Sequence, residues 1–179
     1  MRLMIASDIH GSAYYCKEMI ERFKEEEADK LLLLGDILYH GPRNDLPKDY
    51  NPKKVIELLN PLKDKIIAVR GNCDAEVDQM VLDFPIMADY TMLLVDDIEI
   101  YATHGHIYNQ DNPIKSASII LYGHTHVPDN TLKDGIRYLN PGSISIPKND
   151  TLHSYMVYED HKFIWKDLLN EKEYQFLAI

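Results

Sequence analysis

Leu3-Met4-Ile5-Ala6-Ser7-Asp8-Ile9-His10-Gly11-Ser12 sets the pattern from which this chain is read. The apolar run from Leu3 to Ser7 reads as a buried strand. It ends in a D-x-H pair, Asp8 and His10, and Gly11-Ser12 breaks it. The arrangement returns along the chain. Leu31–Leu34 runs into Gly35-Asp36, and Ile66–Val69 leads to Gly71-Asn72. Ile98–Ala102 runs into Thr103-His104-Gly105-His106, and Ile119–Tyr122 into Gly123-His124-Thr125-His126. In open α/β sheets, ligands collect beyond the carboxyl ends of the strands. Strands of one sheet can therefore bring these polar ends to one place. Extended D-x-H and H-x-H segments present both polar side chains on one side, because side chains alternate with period two.

The rest of the chain fits around these strands. Ser12 is a good N-cap for a helix from Ala13 to about Glu27, with Cys16, Met19, Ile20 and Phe23 on its apolar face. Asn51 caps a second helix, with Pro52 at its first position and Val55, Ile56, Leu58 and Leu59 facing inward. Met92–Val95 and Ile98–Ala102 flank Asp96-Asp97 as a hairpin. Tyr138-Leu139 leads into Asn140-Pro141-Gly142, and Tyr155–Tyr158 and Phe163–Trp165 flank a turn. Tyr174–Ile179 reads as a last strand. The first half alternates strand and helix, and the second is mostly strand. That pattern predicts an α/β fold with mixed sheets and helices outside, in one domain over residues 1–179.

Acidic residues outnumber basic ones, 29 to 19, for a formal charge of −10. Duplex nucleic acid is bound through dense Lys/Arg patches, and none exists here, so long nucleic acids are excluded as partners. A phosphate can still be bound if metal cations supply local positive charge. The two cysteines, Cys16 and Cys73, are too few for a disulfide framework. The first apolar run stops at Asp8, short of the roughly 7–15 apolar residues of a signal core. No run reaches the ~20 residues of a membrane span. A cytoplasmic protein with no membrane partner is expected, and the apolar C-terminal segment offers a surface for a second copy.

Carboxylate oxygens and imidazole nitrogens suit Mn, Fe, Ni or Zn as divalent ions. Taken singly, D-x-H, G-D or G-N is a turn or a helix cap. As an ordered set behind buried strands, they predict a metal site. The order D-x-H, G-D, G-N, H-G-H, G-H-T-H resembles the calcineurin-like metallophosphoesterase superfamily. Ser7–Ser12, His40-Gly41-Pro42-Arg43-Asn44, Val69–Asp74 and Asn140-Pro141-Gly142-Ser143 are more narrowly similar to its YfcE-type phosphodiesterases.

The resemblance implies a two-sheet sandwich flanked by helices, two metals (manganese foremost), and hydrolysis of a small phosphoester by a hydroxide held between the ions. It further implies that Asp8, His10, Asp36 and His126 hold one ion. Asp36, Asn72, His104 and His124 would hold the other, with Asp36 bridging. The superfamily's usual G-N-H is here Gly71-Asn72-Cys73, and its G-D-x-x-D-R places Tyr39 and His40 where Asp and Arg stand. Candidates for phosphate contact or proton delivery are therefore Asn72, Arg43, His106, Asp74 and His40, in that order, with Cys73 a packed thiol or poor ligand. A small phosphodiester is the expected substrate. The alternatives are a phosphomonoesterase or nucleotidase, and a non-catalytic protein-binding scaffold of the same fold.

Overall fold

The computed structural model describes all residues 1–179. Eleven strands form two mixed sheets. The first, in order β11-β10-β9-β1-β2-β3, comprises β1 (Leu3–Ala6), β2 (Lys30–Leu33), β3 (Ile66–Ala68), β9 (Ser154–Glu159), β10 (Lys162–Asp167) and β11 (Glu173–Ala178). Here β1, β2 and β3 run parallel, and β9, β10 and β11 extend the sheet antiparallel. The second sheet has the order β4-β5-β6-β8-β7. It comprises β4 (Tyr90–Val95), β5 (Ile98–Thr103), β6 (Ile119–Leu121), β7 (Asp129–Lys133) and β8 (Ile136–Asn140). Its middle strands β5, β6 and β8 are parallel, and both edges are antiparallel.

The period-two alternation of β1 explains the layering. Leu3 and Ile5 face the second sheet, in a core with Leu32, Ile100, Leu121, Leu139 and Trp165. Met4 and Ala6 face the opposite way, toward the helices. Helix α1 (Ala13–Glu25) buries Cys16, Met19, Ile20 and Phe23 there, and helix α2 (Pro52–Leu59) adds Val55 and Leu59. Both caps match the sequence reading. Ser12 accepts from the Tyr15 N–H and Asn51 from the Lys54 N–H. Helix α1 ends two residues before the expected Glu27, which is left-handed at φ 49°. Trp165, fully buried, ties the layers together by donating its indole N–H to the Asn140 carbonyl at 2.7 Å. Its truncation to Ala would cost about 3–5 kcal/mol.

The helices cover only the first sheet. The outer face of the second carries Ile120, Tyr122 and Tyr138 under the non-helical segment containing Ile114 and Ala117. Besides a 3-10 turn at Asn60–Leu62, two elements have no counterpart in the sequence reading. Helix α3 (Glu76–Gln79) is a single turn, and β7 is a polar edge strand. The hairpin turn between β7 and β8 is Asp134-Gly135, with both residues at positive φ, a strong short-range hairpin signal. No helix is long and apolar enough to cross a membrane.

Away from the strand ends, Glu26 forms a buried charged node. Its carboxylate takes Lys166 at 2.8 Å, the Tyr155 hydroxyl at 2.7 Å and Arg2 at 2.6 Å.

Candidate metal centre

The C-terminal ends of β1, β2, β3, β5 and β6 meet at one edge of the sandwich. The segments beyond them are not extended, which corrects the alternation expected for D-x-H and H-x-H. Asp8, His10, Asp36, His124 and His126 all adopt left-handed backbone, at φ 59°, 49°, 55°, 66° and 62°. That conformation is uncommon outside Gly, though Asp, Asn and His enter it more readily than most. These sharp turns, rather than a strand's alternation, converge the side chains.

The convergence is tight. The Nε2 atoms of His10 and His126 lie 3.2 Å apart. Asp8 Oδ1 lies 3.3 Å from the second and 3.6 Å from the first. Asp36 Oδ2 stands between two imidazoles, 3.6 Å from His10 Nε2 and 3.4 Å from His104 Nε2. On the far side, His104 Nε2 is 3.1 Å from Asn72 Oδ1, and the His104 and His124 rings are 5.1 Å apart. The structure thus brings all seven expected ligand residues together, with Asp36 shared by two subsets.

Three observations show that divalent cations fit this cluster. His10, His104 and His126 each place Nδ1 on a backbone carbonyl, of Tyr39, Leu34 and Ile146, at 2.8, 2.6 and 2.6 Å. A ring that donates Nδ1–H leaves Nε2 with a free lone pair, the usual support for a metal-ligating histidine. Two such lone pairs 3.2 Å apart repel unless a positive charge lies between them. Finally, Asp8 Oδ1 is buried without a hydrogen bond, which is costly unless a cation satisfies it.

The electrostatics agree. Burial works to raise the Asp8 carboxyl, yet the facing imidazoles of His10 and His126 hold it well below the usual range. Burial works to discharge His104, yet the facing Asp36 and Asp8 carboxylates hold it up to about 9, so that a proton takes the place a cation would fill. The cluster draws positive charge.

Asp74 requires a correction. It was expected to contact phosphate or deliver a proton. Its buried carboxylate instead accepts three backbone N–H groups, from Asp36 at 2.8 Å, Ile37 at 2.8 Å and Gly71 at 2.7 Å. Asp36 returns the contact through the Cys73 N–H, at 2.8 Å. Asp74 therefore clasps the Asp36 and Asn72 loops and has no free edge for chemistry. Gly71 is required by the same closeness, because a Cβ there would lie 2.1 Å from Asp36 Oδ1.

The other candidates divide by position. Arg43 and Asn72 line a polar cavity of about 410 Å³ beside the cluster, together with Asn44, Cys73, His124 and Lys148. His106 is half-buried and is not part of the cavity lining, its ring 5.3 Å from that of His104. His40 lies outside the cavity, packed edge-on against Tyr39 and Tyr50. Cys73 shares a potential ligand group with His10 and Asp36. Burial and then the Asp36 charge push its thiol up to about 12, so it is not a thiolate nucleophile. The sequence reading missed Lys148, which sits on a loop among ordinary polar residues and carries no spacing signal.

A family model of the calcineurin-like phosphoesterase superfamily domain matches residues 1–162. Phosphodiesterase YfcE of Escherichia coli (strain K12) is 47% identical over 157 residues, 87% of this chain and 85% of that one. The solved structure of Yfce, a phosphoesterase from E. coli, superposes with a TM-score of 0.96 at 42% identity, over 100% of each chain. Vacuolar Protein Sorting 29 from Cryptosporidium parvum matches with a TM-score of 0.67 at 17% identity, over 99% of this chain and 98% of that one. At that identity the likeness concerns the fold alone.

Proposed function

The chain belongs to the calcineurin-like phosphoesterase superfamily and is a hydrolase of phosphoester bonds, and from that premise we propose that it cleaves a small phosphodiester at a centre of two divalent cations, manganese foremost. The observation that carries the proposal is the shared Asp36 carboxylate between His10 and His104, within a cluster whose three buried imidazoles all turn Nε2 inward. Asp8, His10, Asp36 and His126 would hold one cation, and Asp36, Asn72, His104 and His124 the other. Bound there, such cations supply Lewis acidity, which activates water at neutral pH and neutralises charge building on phosphorus.

The chain's own groups do the rest. Asn72 lines the cavity and can orient a phosphoryl oxygen. Cys73, neutral and a weak donor, stands where the superfamily's usual motif places a histidine. A departing alkoxide would receive little help from it, which favours diesters with good leaving groups over monoesters. The Asp74 clasp keeps Asp36 in place. With every expected ligand residue in the cluster, a scaffold role has no structural support of its own. The test is turnover of bis(4-nitrophenyl) phosphate with added Mn²⁺, before and after chelation, paired with elemental analysis. Turnover that persists in metal-free protein would overturn the reading.

A further inference from the structure

The cavity beside the metal centre is lined by two cationic side chains, Arg43 and Lys148, from different loops. Arg43 belongs to a turn fixed by the Asn44 N–H on the Gly41 carbonyl at 3.3 Å and by the Asn44 side-chain amide on the His40 carbonyl at 2.8 Å. That turn packs on Cys73, since a Cβ on Gly41 would lie 3.1 Å from Cys73 Sγ. Lys148 comes from the loop between β8 and β9. Its backbone N–H donates to the His126 carbonyl at 3.3 Å, and the Ile146 carbonyl two residues earlier orients the His126 ring. Both side chains are exposed, and neither forms an ion pair or a side-chain hydrogen bond within the chain.

The cavity offers nothing for an aromatic or aliphatic group. Its walls are polar apart from Pro42 and Gly41, with no Phe, Tyr or Trp and no branched aliphatic side chain for a nucleobase or acyl chain to rest against, and its two imidazoles, His124 and His126, belong to the metal cluster. Base recognition without stacking loses roughly 1–3 kcal/mol per base. One phosphodiester group carries a single negative charge, and the metal centre already answers it. Two further unpaired cations, in a protein of net charge −10, are electrostatically matched to a second anionic group on the same substrate. Resting on the phosphodiesterase reading above, we propose that the substrate is a phosphodiester whose retained alcohol bears a second anionic group, a carboxylate or a further phosphate, received between Arg43 and Lys148.

The test uses two diesters with the same 4-nitrophenol leaving group and opposite charge on the retained alcohol, one from 3-hydroxypropanoate and one from choline. kcat/KM is measured for both with Mn²⁺, in the wild type, Lys148→Ala, Lys148→Glu and Arg43→Ala. The expected wild-type ratio favours the anionic diester. Each neutralised cation should lower that ratio about three- to fivefold, the size of one solvent-exposed ion pair, and Lys148→Glu should lower it further. Raised salt should compress the ratio in the wild type and less in the variants. Taking a ratio separates this effect from any loss of overall turnover. A wild type that turns over both diesters equally, or prefers choline, overturns the inference and leaves the phosphodiesterase reading standing. So does an anionic preference that survives all three substitutions. Failure to hydrolyse either diester overturns both readings together.

Discussion

Replacing Asp74 by Asn tests whether one carboxylate holds two catalytic loops together. Oδ2 accepts the Asp36 and Gly71 N–H groups at 2.8 and 2.7 Å, and Oδ1 accepts that of Ile37 at 2.8 Å. An amide keeps one acceptor oxygen. With that oxygen on the first pair, its NH₂ faces the Ile37 N–H and leaves that donor buried and unpaired, at roughly 1–3 kcal/mol. The two surviving bonds lose their charge assistance, which roughly halves their strength. The sum is about 3 kcal/mol of stability, or about 6–12 °C in Tm for a chain of this size. Unfolding is to be measured in EDTA, so that loss of metal does not contribute. The metal-loaded variant should also lose about 10–100-fold in metal affinity or kcat/KM, as is usual when a residue orienting a ligand is removed. An Asn variant within about 0.5 kcal/mol of wild type, the range of ordinary surface changes, would refute the clasp.

Three further outcomes follow from other contacts. Asp36→Asn should fold but lose activity by orders of magnitude, because one oxygen serves both halves of the cluster; near-normal turnover with both metals bound would exclude the bridging role. Cys73→His should raise monoester turnover relative to diester turnover, since general acid catalysis is worth roughly 10²–10⁴-fold; matched kcat/KM values for a monoester and a diester decide it, and an unchanged ratio refutes it. Glu26 governs acid stability. Burial works to raise its carboxyl, but Lys166, Tyr155 and Arg2 hold it below the ordinary glutamate value. A depressed folded pKa means that the stabilisation is present above the unfolded value and fades as pH falls through the folded one. Glu26→Gln should therefore be less stable than wild type at pH 7 and converge with it in acid, below the ordinary glutamate value, as read by urea unfolding.

The site was legible because chemistry at strand ends leaves an ordered pattern. Asp8, His10, Asp36, Asn72, His104, His124 and His126 each follow an apolar run, and the fold collects all seven. What escaped has physical reasons. Strand β7 is polar and lies at a sheet edge, so hydrophobic periodicity is silent there, although Asp134-Gly135 marked its hairpin. Asp74 looked like a catalytic acid because sequence shows a residue's type and not its partners, and its three partners are backbone N–H groups. Lys148 reaches the cavity only through the return of the loop after β8, a long-range placement with no local signature. The reasoning from alternation gave the right neighbours for the wrong cause, since left-handed turns rather than extended backbone aim Asp8 with His10 and His124 with His126.

Those turns bear on which ion the protein would accept. Five of the seven candidate ligands sit on left-handed backbone, a conformation that costs on the order of 1–3 kcal/mol each when occupied by residues other than Gly. That expense is met during folding, before any cation arrives. A cage already drawn to shape would have little freedom to contract around a small ion or to open around a large one. Rigidity of that kind would sharpen discrimination by ionic size, since selectivity rests on geometry and ligand type more than on raw affinity. The frame itself should be the same with and without cations, because the fold and not the metal sets the turns.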